Sequence, residues 1–484
     1  MFTPEVIVFI LYLVSMLSIG IFFFFKERKG GEKTFFLGDR RVGAWVGALS
    51  AGASDMSAWV LMGLPTSVYA FGLGKIWIPV GLVLGYTASW LIEAPRLRKF
   101  SIVSGDAITI PQYLSNRFLS KTKVLQVICA VVFLIAYTIY AASSIKACGT
   151  LFHKVIDMDP MMAMYLAVFI IVGYTFLGGF SAVCWTDFFQ GLLILGAMLM
   201  APIFALFTLD FSREAIDSAS HFWDFTADWH DVVSGLAWGL GYFGMPHIII
   251  RFMSISSQKT LKRSAWIGIA WTVLILIFAV LIGIVGRLDF GMVDELKGNE
   301  LVFVKMVRDI FPCVISGILL SAVLAASMST ADSQLLSASS SLTSDVYKPL
   351  IRKNRTSDRE LMWVGRFVVL AVALVALVIA MDPRSGSIMD LVENAWGLFG
   401  AAFGPAILLS LFWRKFNFVG AVTGIVVGAD VDLFWLIFLK DTGVYEILPG
   451  FVIGAVAAIA AAKFIGSPSE DVLKLYDDAV AYDD

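Results

Sequence analysis

Gly235-Leu236-Ala237-Trp238-Gly239-Leu240-Gly241-Tyr242-Phe243-Gly244-Met245-Pro246-His247 sits inside an apolar run, 231–255, and carries four glycines and a proline. A helix of that length covers about 30 Å, the thickness of a bilayer's hydrocarbon. Yet glycine gives up the most backbone freedom on ordering, and proline removes a helix N–H, so a continuous helix here is costly. In lipid, unwound backbone survives only where it lines a cavity or a site. The run therefore reads as a broken span. Its freed carbonyls can hold a cation, and a half-helix N-terminus can face an anion. Close packing on small residues, without unwinding, is the alternative this pattern leaves open.

Two further stretches carry unusual content at membrane depth. Gly47–Trp59 (GALSAGASDMSAW) places Asp55 in mid-span, ten residues before Pro65. A charge at a helix centre costs roughly 2.5–3.5 kcal/mol on insertion scales, so Asp55 is a functional candidate by default. The bland alternative is an acid at a helix end, reached by water. Ser321–Ser333 (SAVLAASMSTADS) sets hydroxyls among small residues. Sodium, a hard cation, takes oxygen ligands. Hydroxyls in membrane helices more often bond back to their own backbone. Interrupted spans two and seven lie five apart in order. That points to an inverted-repeat transporter with spans two to six and seven to eleven as its halves.

Composition agrees with a lipid solvent. Of 484 residues, 59% are hydrophobic and 15% charged, against about 25% charged in a soluble domain. A net charge of −2 offers no basic footprint for nucleic acid. Cys129, Cys148, Cys184 and Cys313 form no CxxC and read as small buried hydrophobes. His221 and His230 fall in a polar loop, and no metal-binding histidine spacing occurs. The first apolar run, Val6–Phe25, follows Glu5 and precedes Lys26, Arg28 and Lys29. It reads as a first span rather than a signal peptide.

Thirteen spans are expected, near 3–25, 43–70, 74–95, 123–152, 160–179, 187–208, 231–255, 264–286, 310–345, 361–381, 387–412, 416–438 and 444–466. With the N-terminus outside and the C-terminus inside, the inner segments and the span ends that adjoin them hold 26 of the 36 Lys and Arg, as the positive-inside rule demands. The loop 209–230 is acidic and falls outside. Asp187–Gln190 reads as a capping box for span six. His247 reads as a packing residue.

Ser50–Met62 (SAGASDMSAWVLM), Trp238–His247 (WGLGYFGMPH) and Gly317–Thr330 (GILLSAVLAASMST) resemble spans of the sodium/solute symporter family, in its proline-transporting branch. So do Phe180–Asp187 (FSAVCWTD), Trp363–Arg366 and Trp396–Pro405 (WGLFGAAFGP). The likeness runs from span one to about Gly466. It implies an all-α polytopic protein with a leucine-transporter-type core of two five-helix inverted repeats. One extra helix precedes the core and two follow it. The segments would be 1–42 (first helix and cytoplasmic loop), 43–208 and 209–412 (the repeats), 413–466 (two spans) and 467–484 (cytoplasmic tail).

The resemblance also implies roles. Backbone oxygens of Ala53 and Met56, with Ala326, Ser329 and Thr330, would hold sodium, the co-transported ion. Asp55 matches the family's essential acid, and Arg40 a residue tied to coupling. L-proline would sit near Ser57, Trp59, Tyr140, Trp238, Tyr242 and Pro246. Trp238, Tyr242 and Pro246 would flank an unwound turn at Gly239 and Gly241. The implied activity is sodium-coupled uptake at the bacterial inner membrane, with no catalytic residue, no nucleic acid and no obligate protein partner. Some positions depart from the pattern: Lys33 and Thr34 replace an acidic pair, Lys75 replaces an acid, Lys146 falls within span four, and Asp430 and Asp432 fall in an apolar span. Lys146 is expected to snorkel outward. An i, i+2 pair points to different faces, so the two aspartates do not build one site.

A membrane-embedded transferase would need an acid/base pair at one depth or a soluble catalytic domain, and a sensor a signalling module. Neither is evident in the sequence. A symporter of the same family for another small solute is the nearer alternative.

Overall fold

The computed structural model describes residues 4–27, 31–208, 222–225 and 228–483. Among these the chain is helical, with one isolated parallel β-bridge between Val42 and Ile255. A helix satisfies every interior backbone group within its own segment, which is what a lipid solvent requires.

In chain order the main helices are α1 (Pro4–Glu27), α2 (Ala44–Asp55), α3 (Trp59–Phe71), α4 (Leu73–Val103), α5 (Ile110–Arg117), α6 (Val124–Ile156), α7 (Pro160–Thr208) and α8 (Trp229–Phe243). There follow α9 (Pro246–Ser254), α10 (Gln258–Phe290), α11 (Cys313–Ile351), α12 (Asp358–Met381), α13 (Ile388–Phe412), α14 (Phe418–Phe438), α15 (Ile447–Phe464) and α16 (Glu470–Ala481). Among the described residues, ten helices are long and apolar enough to cross a membrane, and α8 with α9, bent by 44°, make an eleventh candidate.

Two breaks follow from sequence. At 49 residues, α7 would reach about 74 Å at 1.5 Å per residue, more than twice a bilayer core. It turns at Gly179 (φ 63°, ψ −166°), a conformation open essentially to glycine alone. Any Cβ there would also meet the Phe35 ring at 2.8 Å. The second break separates α2 from α3.

Burial sorts the bundle. The most apolar windows of α11 and α13 are 78% and 83% buried, whereas those of α1, α14 and α15 are 22–33% buried. Helices α11 and α13 are therefore the axis, and α1, α14 and α15 face lipid. Cys129, Cys148 and Cys184 are buried as expected, but Cys313 is exposed at the start of α11. His221 and most of the acidic 209–230 loop lie outside the described residues; His230 opens α8, its Nδ1 2.7 Å from Asp228. Lys146 reaches out of α6 to Ser385 Oγ (3.2 Å) and the Gly386 carbonyl, so it does snorkel to the turn before α13.

Candidate ion and solute site

The break in span two falls at Asp55, the last residue of α2. Met56 leaves helical geometry (φ −80°, ψ 71°), and Ser57 N–H turns back to the Asp55 carbonyl at 2.9 Å. The chain resumes as a widened turn from Trp59 to Gly63. Asp55 thus ends a half-helix, but water does not reach it: it is completely buried. Its Oδ2 accepts a 2.5 Å hydrogen bond from the Tyr242 hydroxyl, while Oδ1 has no partner. A buried carboxylate with an open oxygen calls for a cation or a proton beside it.

Helix α11 brings oxygens to the same break. Ser329 Oγ donates to the Ala53 carbonyl at 2.8 Å and lies 3.2 Å from the Ala326 carbonyl. Thr330 Oγ1 donates to that Ala326 carbonyl at 3.0 Å. Ala53, Ala326, Ser329 and Thr330 therefore converge, and Met56 is buried three residues beyond Ala53. These hydroxyls do bond to backbone, as the bland reading held, but one reaches across to another helix. Among the described residues no group of three or more His, Cys, Asp or Glu is arranged to hold a metal. A cation here would rest on carbonyls and hydroxyls.

Aromatic side chains wall the other side of Asp55. The Trp59 and Trp238 rings lie 6.0 Å apart at 35°, and both are at most 2% exposed. Tyr140 hydroxyl and Trp59 Nε1 lie 3.5 and 3.4 Å from the Asp55 carbonyl, and Ser57, between Asp55 and Trp59 in sequence, is buried. The unwound point of span seven is not where the sequence placed it. Trp238–Phe243 tightens into a 3₁₀ turn, and the break falls at Gly244–Met245, with Pro246 opening α9. Gly235 and Gly239 serve close packing instead. A Cβ on Gly81 would lie 2.3 Å from the Gly235 carbonyl, and one on Gly85 2.1 Å from the Gly239 carbonyl. Both readings of the glycine run are thus partly right: early glycines pack against α4, and the last one breaks the helix.

Residues 35–428 match the profile of the Sodium:solute symporter family. The chain belongs to that family. It is similar to the high-affinity proline transporter PutP of Bacillus subtilis, 41% identical over 475 residues, 96% of this chain and 98% of that protein. It is also similar to the sodium/proline symporter of Staphylococcus aureus, 41% identical over 473 residues, 94% of this chain and 92% of that one. A solved Na+-coupled sialic acid symporter, substrate-bound and outward-open, matches with a TM-score of 0.81 at 21% identity, over 96% of this chain and 99% of that one. The solved neighbours place the fold in the leucine-transporter class. This family member is a multi-pass membrane protein.

The symporter also holds a buried polar network that the sequence misassigned. Asp187 caps nothing: it lies well inside the second leg of α7. Its Oδ2 accepts from Ser50 Oγ (2.6 Å) and Arg251 Nη2 (3.0 Å). Arg251 also donates to Ser333 Oγ at 2.6 Å and to the His247 carbonyl. Asp332 Oδ2 lies 2.8 Å from the Tyr174 hydroxyl. Gln190, the other end of the supposed box, donates instead to the Tyr12 hydroxyl at 2.8 Å. His247 is packed as expected between Tyr137 and Tyr140, and its Nε2 is 3.2 Å from the Ser54 carbonyl. Trp396, whose motif alone assigns it no role, donates from Nε1 to the Trp238 carbonyl at 2.8 Å, and its ring abuts Tyr242 at 5.0 Å.

Arg40 stands apart from all of this. It precedes α2 and its guanidinium reaches Asp106 Oδ1 (2.8 Å), the Met253 carbonyl (2.5 Å) and the Ala107 carbonyl (2.8 Å). The twelve residues of α2, about 18 Å, separate its end of the helix from Asp55. Burial raises the Asp106 carboxyl, but its hydrogen bonds to Lys33 and Arg40 outweigh this and hold it below its ordinary value.

Proposed function

We propose that the protein is a sodium-coupled symporter that takes up L-proline by alternating access across a bacterial plasma membrane. The observation that carries the reading is Ser329 Oγ on the Ala53 carbonyl across the break in span two. Sodium would replace those hydroxyl hydrogens as the partner of the carbonyls of Ala53, Met56 and Ala326, with Ser329 and Thr330 turning their lone pairs inward. Sodium would then tie α2 to α11. Asp55 ends the helix that carries Ala53 and takes the Tyr242 hydroxyl, so ordering at the ion site sets the wall against which solute packs. Coupling runs through that one hydrogen bond and the shared break. The names of the two proline-transporting relatives support proline as the solute. Flat rings at Trp59, Trp238 and Tyr242 suit its pyrrolidine, Ser57 and Tyr140 offer donors to a carboxylate, and Pro246 begins a half-helix whose N-terminus favours one.

The domain reading belongs to the same proposal. The two legs of α7, the pair α2–α3 and the pair α8–α9 each count as spans, giving thirteen. The repeats would be 43–208 and 209–412, after a first helix and loop in 1–42 and before spans 413–466 and a cytoplasmic tail, 467–484. The end rich in Lys and Arg faces the cytoplasm. A potential of 100 mV contributes about 2.3 kcal/mol per charge and a tenfold sodium gradient about 1.4 kcal/mol. One ion per solute then sustains roughly 500-fold accumulation. The test is uptake of labelled proline into proteoliposomes with and without an inward sodium gradient. Uptake that ignores the gradient overturns coupling. Glucose, pantothenate or a large amino acid displacing labelled proline better than proline itself overturns the solute.

A further inference from the structure

Helices α13, α14 and the start of α15 bring two carboxylates together away from the sodium site. Asp432 of α14 is completely buried, and neither of its side-chain oxygens has a hydrogen-bond partner. Glu446, at the N-terminal cap of α15, is also buried, and its Oε1 has none. The two meet over Gly397 of α13. A Cβ built there would lie 2.9 Å from Asp432 Oδ1 and 3.4 Å from Glu446 Oε1, so both oxygens surround one point. Among the described residues no ion pair reaches either acid. Asp430, on the other face of α14, is exposed.

A cavity of about 200 Å³ opens beside the pair, lined by Glu446, Glu393, Tyr445, Trp238, Lys75 and Lys440, among others. The charged groups on the packed elements are therefore Asp390 and Glu393 on α13, Lys440 and Asp441 on the turn before α15, and Lys75 with Asp231 across the cavity. Lys75 is already paired with Asp231 at 2.7 Å. Two carboxylates this close and out of water cannot both stay ionised without positive charge between them.

We propose that Asp432 and Glu446 bind one monovalent cation between them, in the cradle that Gly397 leaves open. The chemistry is a single positive charge bridging two carboxylates, which sodium or a proton can supply. It does not rest on the identity of the transported solute. Glu446 follows Tyr445, whose ring lies 5.2 Å from Trp238, and Gly397 follows Trp396, which bonds the Trp238 carbonyl. The cation thus pins lipid-facing α14 and α15 to the helix that backs the aromatic wall.

The test uses purified full-length protein without solute. One arm counts bound radioactive sodium at mildly alkaline pH. The other records the protonated-carboxyl infrared band in sodium-free neutral buffer. Asp432→Asn, Glu446→Gln and Gly397→Ala, the last of which keeps both acids and fills the cradle, are compared with wild type and with the exposed control Asp430→Asn. If sodium is the ion, all three variants bind one sodium fewer than wild type and Asp430→Asn does not. If a proton is the ion, all three lose or shift a carboxyl band that Asp430→Asn retains. The sodium loss persists in a Ser329→Ala background, which separates this site from the one that drives transport. Wild type and the three variants matching in both arms overturns the proposal. So does a change confined to Asp432→Asn, which would make it a lone buried acid. Monodisperse elution and unchanged helical circular dichroism check folding, and if every variant fails that check, a wild type with neither an extra saturable sodium nor a protonated carboxyl overturns it alone.

Discussion

Asp55 shows how little separates a structural acid from a coupling one. Its Oδ1 is buried without a partner, and its Oδ2 is held by Tyr242 alone. Asp55→Asn is expected to abolish sodium-driven uptake while the protein still inserts and folds, since the amide keeps the shape and sheds a buried charge. Near wild-type uptake at low sodium would remove Asp55 from coupling. Ser329→Ala deletes a hydroxyl that bridges two helices and strands the Ala53 carbonyl. A lost hydrogen bond of about 1–1.5 kcal/mol corresponds to roughly a 5- to 12-fold weaker sodium dependence, with solute affinity at saturating sodium little changed. Overlaid sodium titrations for mutant and wild type would take α11 out of the ion site. Asp55 stood out in sequence because a charge at membrane depth has few bland explanations, whereas Ser329 and Thr330 were singled out through the family resemblance, since hydroxyls in membrane helices commonly bond to their own backbone. Asp187 was not legible: an Asp three residues before Gln looks the same in a capping box and in a buried network, and its partners Ser50 and Arg251 lie 137 and 64 residues away.

Between elements, glycines set how closely backbones approach. Sequence could say that Gly235–Gly244 was unfit for an ordinary helix, but not which glycine broke it and which packed. That depended on α4, whose Gly81 and Gly85 face Gly235 and Gly239 across the crossing. A methyl on Gly85 would sit 2.1 Å from a backbone carbonyl that cannot rotate away. Gly85→Ala is expected to force α4 from α8, costing about 1–3 kcal/mol and lowering the thermal midpoint measured in detergent. Gly196→Ala on α7 is the control: nothing lies within 4 Å of its Cβ position, so it should hold or slightly raise the midpoint, as helix propensity favours alanine. Equal midpoints for the two variants would mean the crossing is looser than the geometry says. The apolar runs at 160–179 and 187–208 fall on either side of the turn at Gly179, which a length limit rather than a local motif forces, but 180–186, expected as a loop between them, is helical and belongs to the second leg of α7.

Across the whole molecule, the Lys- and Arg-rich end is clasped around the start of α2. Arg40 ties it to Asp106 and to the end of α9 through Met253, Lys33 adds a second pair to Asp106, and Val42 exchanges backbone hydrogen bonds with Ser254 and Ser256 at 3.2 and 3.1 Å. Spans two and seven, which carry the proposed ion and solute residues, are thus locked to each other at the end that the proposed orientation turns toward the cytoplasm. The clasp is not a pH switch. The Asp106 carboxyl is depressed, so its contribution is fully present above the ordinary carboxylate range near pH 4 and is lost only as pH falls through its lowered value. Breaking the clasp by mutation should instead release the start of α2. Cys184 reports this: it is buried beside a cavity of about 600 Å³ lined by Gly38, Asp39, Arg41 and Val42. In a Cys313→Ser background, which removes the exposed thiol, Asp106→Ala is expected to speed maleimide labelling of Cys184 several-fold at fixed pH. Added sodium should slow the labelling again by favouring the closed arrangement of α2 on α11. Labelling as slow as in wild type would mean that the backbone bridge at Val42 alone holds the gate, leaving Arg40 with no part in opening.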